Sequence, residues 1–158
     1  MSALFAQSPG SYDSGMQSLR SHLEARAAAL TDCAALEVEE KDGFVWVTLR
    51  PTNPAAAAVV LYVGAEDRLG AVSLDDPACV PVELGDDQEE NRRAVDYFVD
   101  VAVEGHATAF HLGHGGAVEI RDGDSSNLSW HNAFGLPGWR RRATKVSFAP
   151  YRADAPSE

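Results

Sequence analysis

The stretch Leu36-Glu37-Val38-Glu39-Glu40-Lys41-Asp42-Gly43-Phe44-Val45-Trp46-Val47-Thr48-Leu49 decides the fold. From Leu36 to Glu39 apolar and acidic side chains alternate, the two-residue period that sends neighbours to opposite faces of a strand. Lys41-Asp42-Gly43 then supplies a turn, because aspartate and glycine tolerate positive φ. Residues 44–49 are β-branched or aromatic for the most part, the types that fill strands. The whole reads as an antiparallel hairpin.

Upstream the period changes. Met16, Leu19, Leu23, Ala27, Leu30 and Ala34 recur at three- and four-residue steps, which predicts an amphipathic helix over residues 14–34 with Asp13 or Ser14 as its cap. Downstream, Pro51 and Pro54 punctuate a loop, and residues 56–63 are apolar on both faces, as a central strand is. Residues 69–74 follow after a turn, and residues 80–84 form a short strand that Pro81 confines to an edge.

A second helix is bounded by its own residues. Asp86 and Asp87 offer caps, Glu89 and Glu90 suit the positive end of the helix dipole, and Gly105 ends it. Ala94, Val95, Phe98, Val99 and Ala102 make its buried stripe. A further hairpin joins residues 107–112 to 117–121 through Gly113-His114-Gly115-Gly116. Residues 122–127 read as loop, 128–131 as a short strand, 136–138 as a turn, and 142–148 alternate again.

The expected class is therefore α+β, an antiparallel meander sheet of about five to seven strands with two amphipathic helices packed on one face. One domain over residues 13–152, with flexible tails at 1–12 and 153–158, fits a chain of 158 residues. Composition agrees, with 45% hydrophobic and 23% charged residues. Cys33 and Cys79 match no metal-binding spacing and are expected to be reduced thiols. Residues 1–10 lack a basic start, and the longest apolar run, residues 55–63, is far below the roughly 20 residues that span a bilayer. A cytoplasmic location is expected.

A net charge of −11 opposes any nonspecific hold on nucleic-acid phosphates or anionic membrane, so neither is an expected partner. The charge is uneven. Residues 126–153 hold no acid but carry Arg140, Arg141, Arg142, Lys145 and Arg152, either an internal match for the acidic body or a separate anion site. Arginine far outnumbers lysine and alanine is abundant, the bias of a GC-rich bacterial genome.

Signatures of catalysis are weak. His106, His111 and His114 lie close in sequence, but strand parity sends His106 and His111 to opposite faces, which disfavours one shared metal. Gly113-x-Gly115-Gly116 joins strands instead of opening a helix, so it is no phosphate loop. Asp122-Gly123-Asp124-Ser125-Ser126-Asn127 has a calcium-loop composition without the glycine and glutamate such a loop requires. No cofactor, metal or catalytic residue is expected.

Two surfaces remain. The second helix carries Asp96, Asp100 and Glu104 among the acids of its outer side, and Asp96 and Asp100 lie away from the Val95/Phe98/Ala102 stripe. They are either a solvated face or a steering surface for a basic protein. Trp130, Phe134, Trp139, Phe148 and Tyr151 are interleaved with Arg140 to Arg142. Trp139, Arg140 and Arg141 are of the types that anchor interfaces, or they plug the open end of the sheet. The order helix–meander–helix–hairpin over about residues 14–121, with the size and acidity, looks similar to two bacterial groups: immunity proteins of polymorphic toxins, and small dimeric chaperones of secretion systems. The resemblance lies in layout and transfers no residue. It implies a small acidic protein-binding module without catalysis, with a basic protein as partner and a homodimer as a compatible state. The alternative is a small enzyme or ligand-binding protein using His106, His111 or His114.

Overall fold

The computed structural model describes residues 10–64, 70–131 and 137–152, with side chains from residue 17 onward and without those of residues 130 and 131. Helix α1 (Gly10–Ala28) opens the chain, and strands β1 (Ala34–Lys41), β2 (Phe44–Pro51), β3 (Val59–Gly64), β4 (Ala71–Leu74) and β5 (Val82–Glu83) follow. Helix α2 (Gln88–Glu104) leads into β6 (Ala107–Leu112), β7 (Gly115–Asp122) and β8 (Ser125–His131). A one-turn helix α3 (Trp139–Arg142) and strand β9 (Thr144–Ser147) complete it.

The α+β class and the antiparallel meander hold, but the strands divide into two sheets. One is five-stranded in the order β1-β2-β3-β4-β5, and the other is four-stranded in the order β8-β7-β6-β9. Every pairing is antiparallel. Strand β9 returns to β6, a pairing between residues far apart in sequence that no local pattern announces.

The tight turns sit where glycine and aspartate permit them. Asp42 and Gly43 both take positive φ (54° and 77°) and pair Lys41 with Phe44 in a two-residue hairpin. The stretch expected as loop over 122–127 is instead a hairpin turn at Gly123-Asp124, with Asp122 opposite Ser125 and β8 already begun.

Helix α1 begins at Gly10, inside the stretch expected as a tail, so neither Asp13 nor Ser14 is its cap. It ends at Ala28, earlier than its periodicity suggested. Leu30 and Ala34 are buried all the same, from a turn and from the start of β1, so the three-four spacing outlasts the helix. The remainder of the expected tails lies outside the described residues.

One core joins these elements. Val47, Leu49, Val59, Leu61, Val72 and Leu74 share one face of the first sheet by register. Leu19 and Leu23 of α1 and Val95, Phe98, Val99 and Ala102 of α2 pack against them, while Ala107, Ala109, Val118 and Ile120 add one face of the second sheet. Each fully buried aliphatic side chain contributes about 1.5–3 kcal/mol, which sets this cluster as the main source of stability. Cys33 and Cys79 are buried free thiols within it. No helix among the described residues is long and apolar enough to cross a membrane.

Candidate interaction surface

Helix α2 is capped as its sequence requires. The Asp87 carboxylate accepts from the amides of Glu89 (2.9 Å) and Glu90 (3.2 Å), and Gly105 closes the helix in the left-handed region. The acids along it meet different fates. Asp96 accepts from His22 Nε2 at 2.9 Å and lies 3.6 Å from Arg26, and Asp100 pairs with the same Arg26. Both acids thus face α1, where the Arg26 cation lies against both and His22 hydrogen-bonds Asp96. Glu104 sits 3.0 Å from His106 Nδ1, just past the helix end.

The basic segment is likewise engaged in part. Trp139 packs edge-on against Phe110 (5.5 Å), and the Arg140 guanidinium lies over both rings, 5.6 and 5.4 Å from their centroids. Arg140 also approaches Glu119, 3.5 Å away, whose side chain is only 15% exposed. Trp139 is thus half-buried against the second sheet, while Arg140 and Arg141 are both exposed. Arg152 grips Asp32 with two hydrogen bonds (2.9 and 2.8 Å), and these hold the Asp32 carboxyl below its ordinary range. Phe148 and Tyr151 belong to the core; Phe134 and the side chain of Trp130 lie outside the described residues.

The histidines do not converge. His106 takes Glu104, and His111 Nε2 lies 3.4 Å from Asp76 in the turn after β4, a carboxylate only 11% exposed. An imidazole held by a carboxylate is a competent proton acceptor in principle. Cys79 lies in the same turn, but burial raises its thiol pKa, opposite to what a nucleophile needs. Among the described residues no group of three or more His, Cys, Asp or Glu could hold a metal.

The acids that stay open lie at the start of α2, and they border an edge strand. Strand β5 has β4 as its single neighbour in the sheet order, so its outer backbone edge faces away from the sheet. Val80 and Val82 are exposed there, 36% and 44%. Leu84 points inward and is buried, and its amide donates to Gly70 O (2.8 Å), which fixes the strand's register. The connection to α2 is clamped by buried Asn91, whose amide nitrogen donates to Gly85 O (2.8 Å) and whose amide oxygen accepts from Gly85 N (3.0 Å). Around this edge stand Glu83, Asp86, Asp87, Glu89 and Glu90, and among the described residues Glu89 is the one of them paired to a base, Arg93 at 3.4 Å. The side-chain oxygen of Gln88, in the same segment, is enclosed and meets no hydrogen-bond donor among the described residues.

Sequence reasoning saw the acids of α2 but not which of them α1 would claim. The signal for an edge was Pro81, which cannot join a ladder on both sides, but residues 80–83 are all exposed, so no alternation in the sequence marked the valines. No known family matches the chain, and neither a curated protein nor a solved structure matches it.

Proposed function

We propose that this chain is an acidic protein-binding module of the bacterial cytoplasm, and that it holds a basic client protein on the β5 edge and the first turn of α2. The observation that carries this reading is the apolar edge, Val80 and Val82, set among Glu83, Asp86 and Glu90 on a connection clamped by Asn91. Apolar side chains and the outer backbone edge of the strand supply affinity, and the carboxylates steer encounter and exclude acidic competitors. Immunity proteins and secretion chaperones, similar in layout, are the client-binding classes this reading favours. Nucleic acid and membrane are not partners under it, since −11 net charges repel both.

The test is affinity capture from the native cytoplasm followed by association kinetics with the captured client. Wild type is expected to hold one basic protein stoichiometrically. The Glu83→Lys/Glu90→Lys variant is expected to associate about tenfold more slowly at low salt, with the difference shrinking as salt rises. Equal on-rates for the two folded proteins would return the surface to a plain solvated face. The alternative, a small enzyme or ligand-binding protein built on the histidine region, draws on the Asp76–His111 pair. A small molecule that co-purifies with wild type and is lost in His111→Ala would favour it instead.

A further inference from the structure

The outer face of the first sheet is unusual for an antiparallel sheet, which ordinarily turns apolar residues to the core and polar ones to water. Register puts Glu37, Glu39 and Lys41 of β1, Phe44, Trp46, Thr48 and Arg50 of β2, and Tyr62 of β3 on that face, opposite to the Val47/Leu49/Leu61 core. Trp46 stacks on Tyr62 with centroids 5.1 Å apart and planes at 29°, and Phe44 meets Tyr62 edge-on at 6.2 Å. Trp46 is nevertheless 38% exposed. Towards β4 the same face is closed, since Val60, Ala71 and Ser73 are buried, so the open patch is the β1–β2 hairpin together with Tyr62.

We propose that this patch is where two copies of the chain meet, sheet against sheet about a two-fold axis. Charge selects the occupant. A molecule of net charge −11 repels its own copy over most of its surface. Here the acids Glu37 and Glu39, with Asp75 at the rim, face Lys41 and Arg50; Arg50 Nε donates to Glu37 at 2.9 Å and Arg50 Nη1 lies 3.9 Å from Asp75. Three carboxylates against two cations leave the face close to neutral beside the −11 of the whole chain, and it carries both signs. An isologous interface requires self-complementarity, and Glu39 and Lys41, two positions apart on one edge strand, can each meet the other in the second copy. A basic client finds two cations on this face and an acidic one finds three carboxylates, so neither fits as well as a copy does. Tryptophan and tyrosine supply the central anchor that interfaces of this kind use.

Size sets the strength. Strands of this length, at about 3.4 Å per residue and about 4.8 Å between strands, give roughly 400 Å² per copy. That is half of the about 800 Å² per partner of a stable interface, so the dimer forms reversibly in the range of tens to hundreds of micromolar.

Sedimentation velocity on the full chain over about 5 µM to 1 mM tests this at moderate salt, with circular dichroism and thermal unfolding as folding controls. Wild type is expected to pass from monomer to dimer, and Trp46→Glu to stay monomeric while still folded. Lys41→Glu is expected to raise the dissociation constant at least about tenfold, and the swap Glu39→Lys/Lys41→Glu to restore it. The swap separates specific pairing from aromatic stickiness, and it serves even where Trp46→Glu fails to fold. A wild type monomeric throughout overturns the proposal, as does a dimer that folded Trp46→Glu leaves intact. So does a face whose substitution abolishes client binding without changing mass. The client surface on β5 is untouched by these changes, so failure here does not bear on it.

Discussion

At Gly105 two demands fall on one α-carbon. The residue ends α2 at φ 70°, in the left-handed region, and a Cβ placed there would lie 2.5 Å from Pro150 N and 2.7 Å from the Ala149 carbonyl carbon. Both atoms are backbone, in the C-terminal segment that crosses the helix end, so neither swings aside as a flexible side chain would. Gly43 supplies the control, with φ 77° and nothing within 4 Å of its would-be Cβ. Gly43→Ala is expected to cost about 1–2 kcal/mol from backbone strain alone. Gly105→Ala adds the clash and is expected to cost at least about 1–2 kcal/mol more, a further fall in Tm of several degrees. Thermal unfolding of the two variants decides it, and equal losses would mean that the 149–150 segment yields freely. Comparable local chemistry keeps both cysteines quiet, since burial raises the thiol pKa of Cys33 and of Cys79.

At the scale of elements, α1 and α2 are joined by charge as well as by core contacts. From the sequence alone Asp96 and Asp100 are exposed positions whose reversal to lysine should shift stability by less than about 0.5 kcal/mol. With His22 and Arg26 of α1 lying against them, the same reversal removes three contacts and sets lysines beside the Arg26 cation. Partly exposed pairs are worth about 0.2–1 kcal/mol each, so Asp96→Lys/Asp100→Lys is expected to lose about 1–2 kcal/mol at low salt and clearly less in 1 M salt. Glu83→Lys/Glu90→Lys should lose little at either. Urea midpoints of the two variants at both salts test this; equal midpoints would mean the α1 contacts carry no net stability. The contrast marks what was legible. Helix α2 could be bounded because Asp87 and Gly105 are local signals, acting within a few residues of themselves. The end of α1 could not, because Leu30 and Ala34 continue its spacing after the chain has left the helix. The partition into two sheets and the pairing of His22 with Asp96, 74 positions away, depend on tertiary packing that no local window contains. The aromatics Phe44 and Trp46 stood in plain alternation, but their shared outward face with Tyr62 needed the β2–β3 register.

At the scale of the whole molecule, residues 148–152 tie together what the meanders leave separate. The Phe148 amide donates to Ala107 O in β6, the Ala149 amide to Ala55 O before β3, and the Tyr151 amide to Val103 O in α2. Asn53 donates from its side chain to Pro150 O at 3.0 Å, and the Tyr151 hydroxyl donates to Leu49 O in β2 at 3.4 Å. Tyr151 is thus buried where α2, the first sheet and the C-terminal segment converge, and burial, with Cys33 nearby, pushes its phenol well above the ordinary 10. The sign of the resulting pH dependence follows. Below pH 10 folded and unfolded chains both keep the proton, and the phenol adds no pH dependence. Above it the unfolded chain releases the proton while the folded chain retains it, so stability falls, with a limiting slope of about 1.4 kcal/mol per pH unit. Tyr151→Phe removes the ionisation and one long hydrogen bond. Near pH 8 the variant is therefore expected to be less stable than wild type by about 0.5–1 kcal/mol. By pH 11 wild type should have lost about 1.4 kcal/mol through this group, and the order of the two proteins should reverse. The other tyrosines and the lysines titrate in both proteins alike and cancel in the difference. Urea unfolding of the pair at pH 8, 9, 10 and 11 measures it directly. A difference that stays constant over that range would mean that the folded protein admits water to the phenol, and that the C-terminal segment does not seal the core.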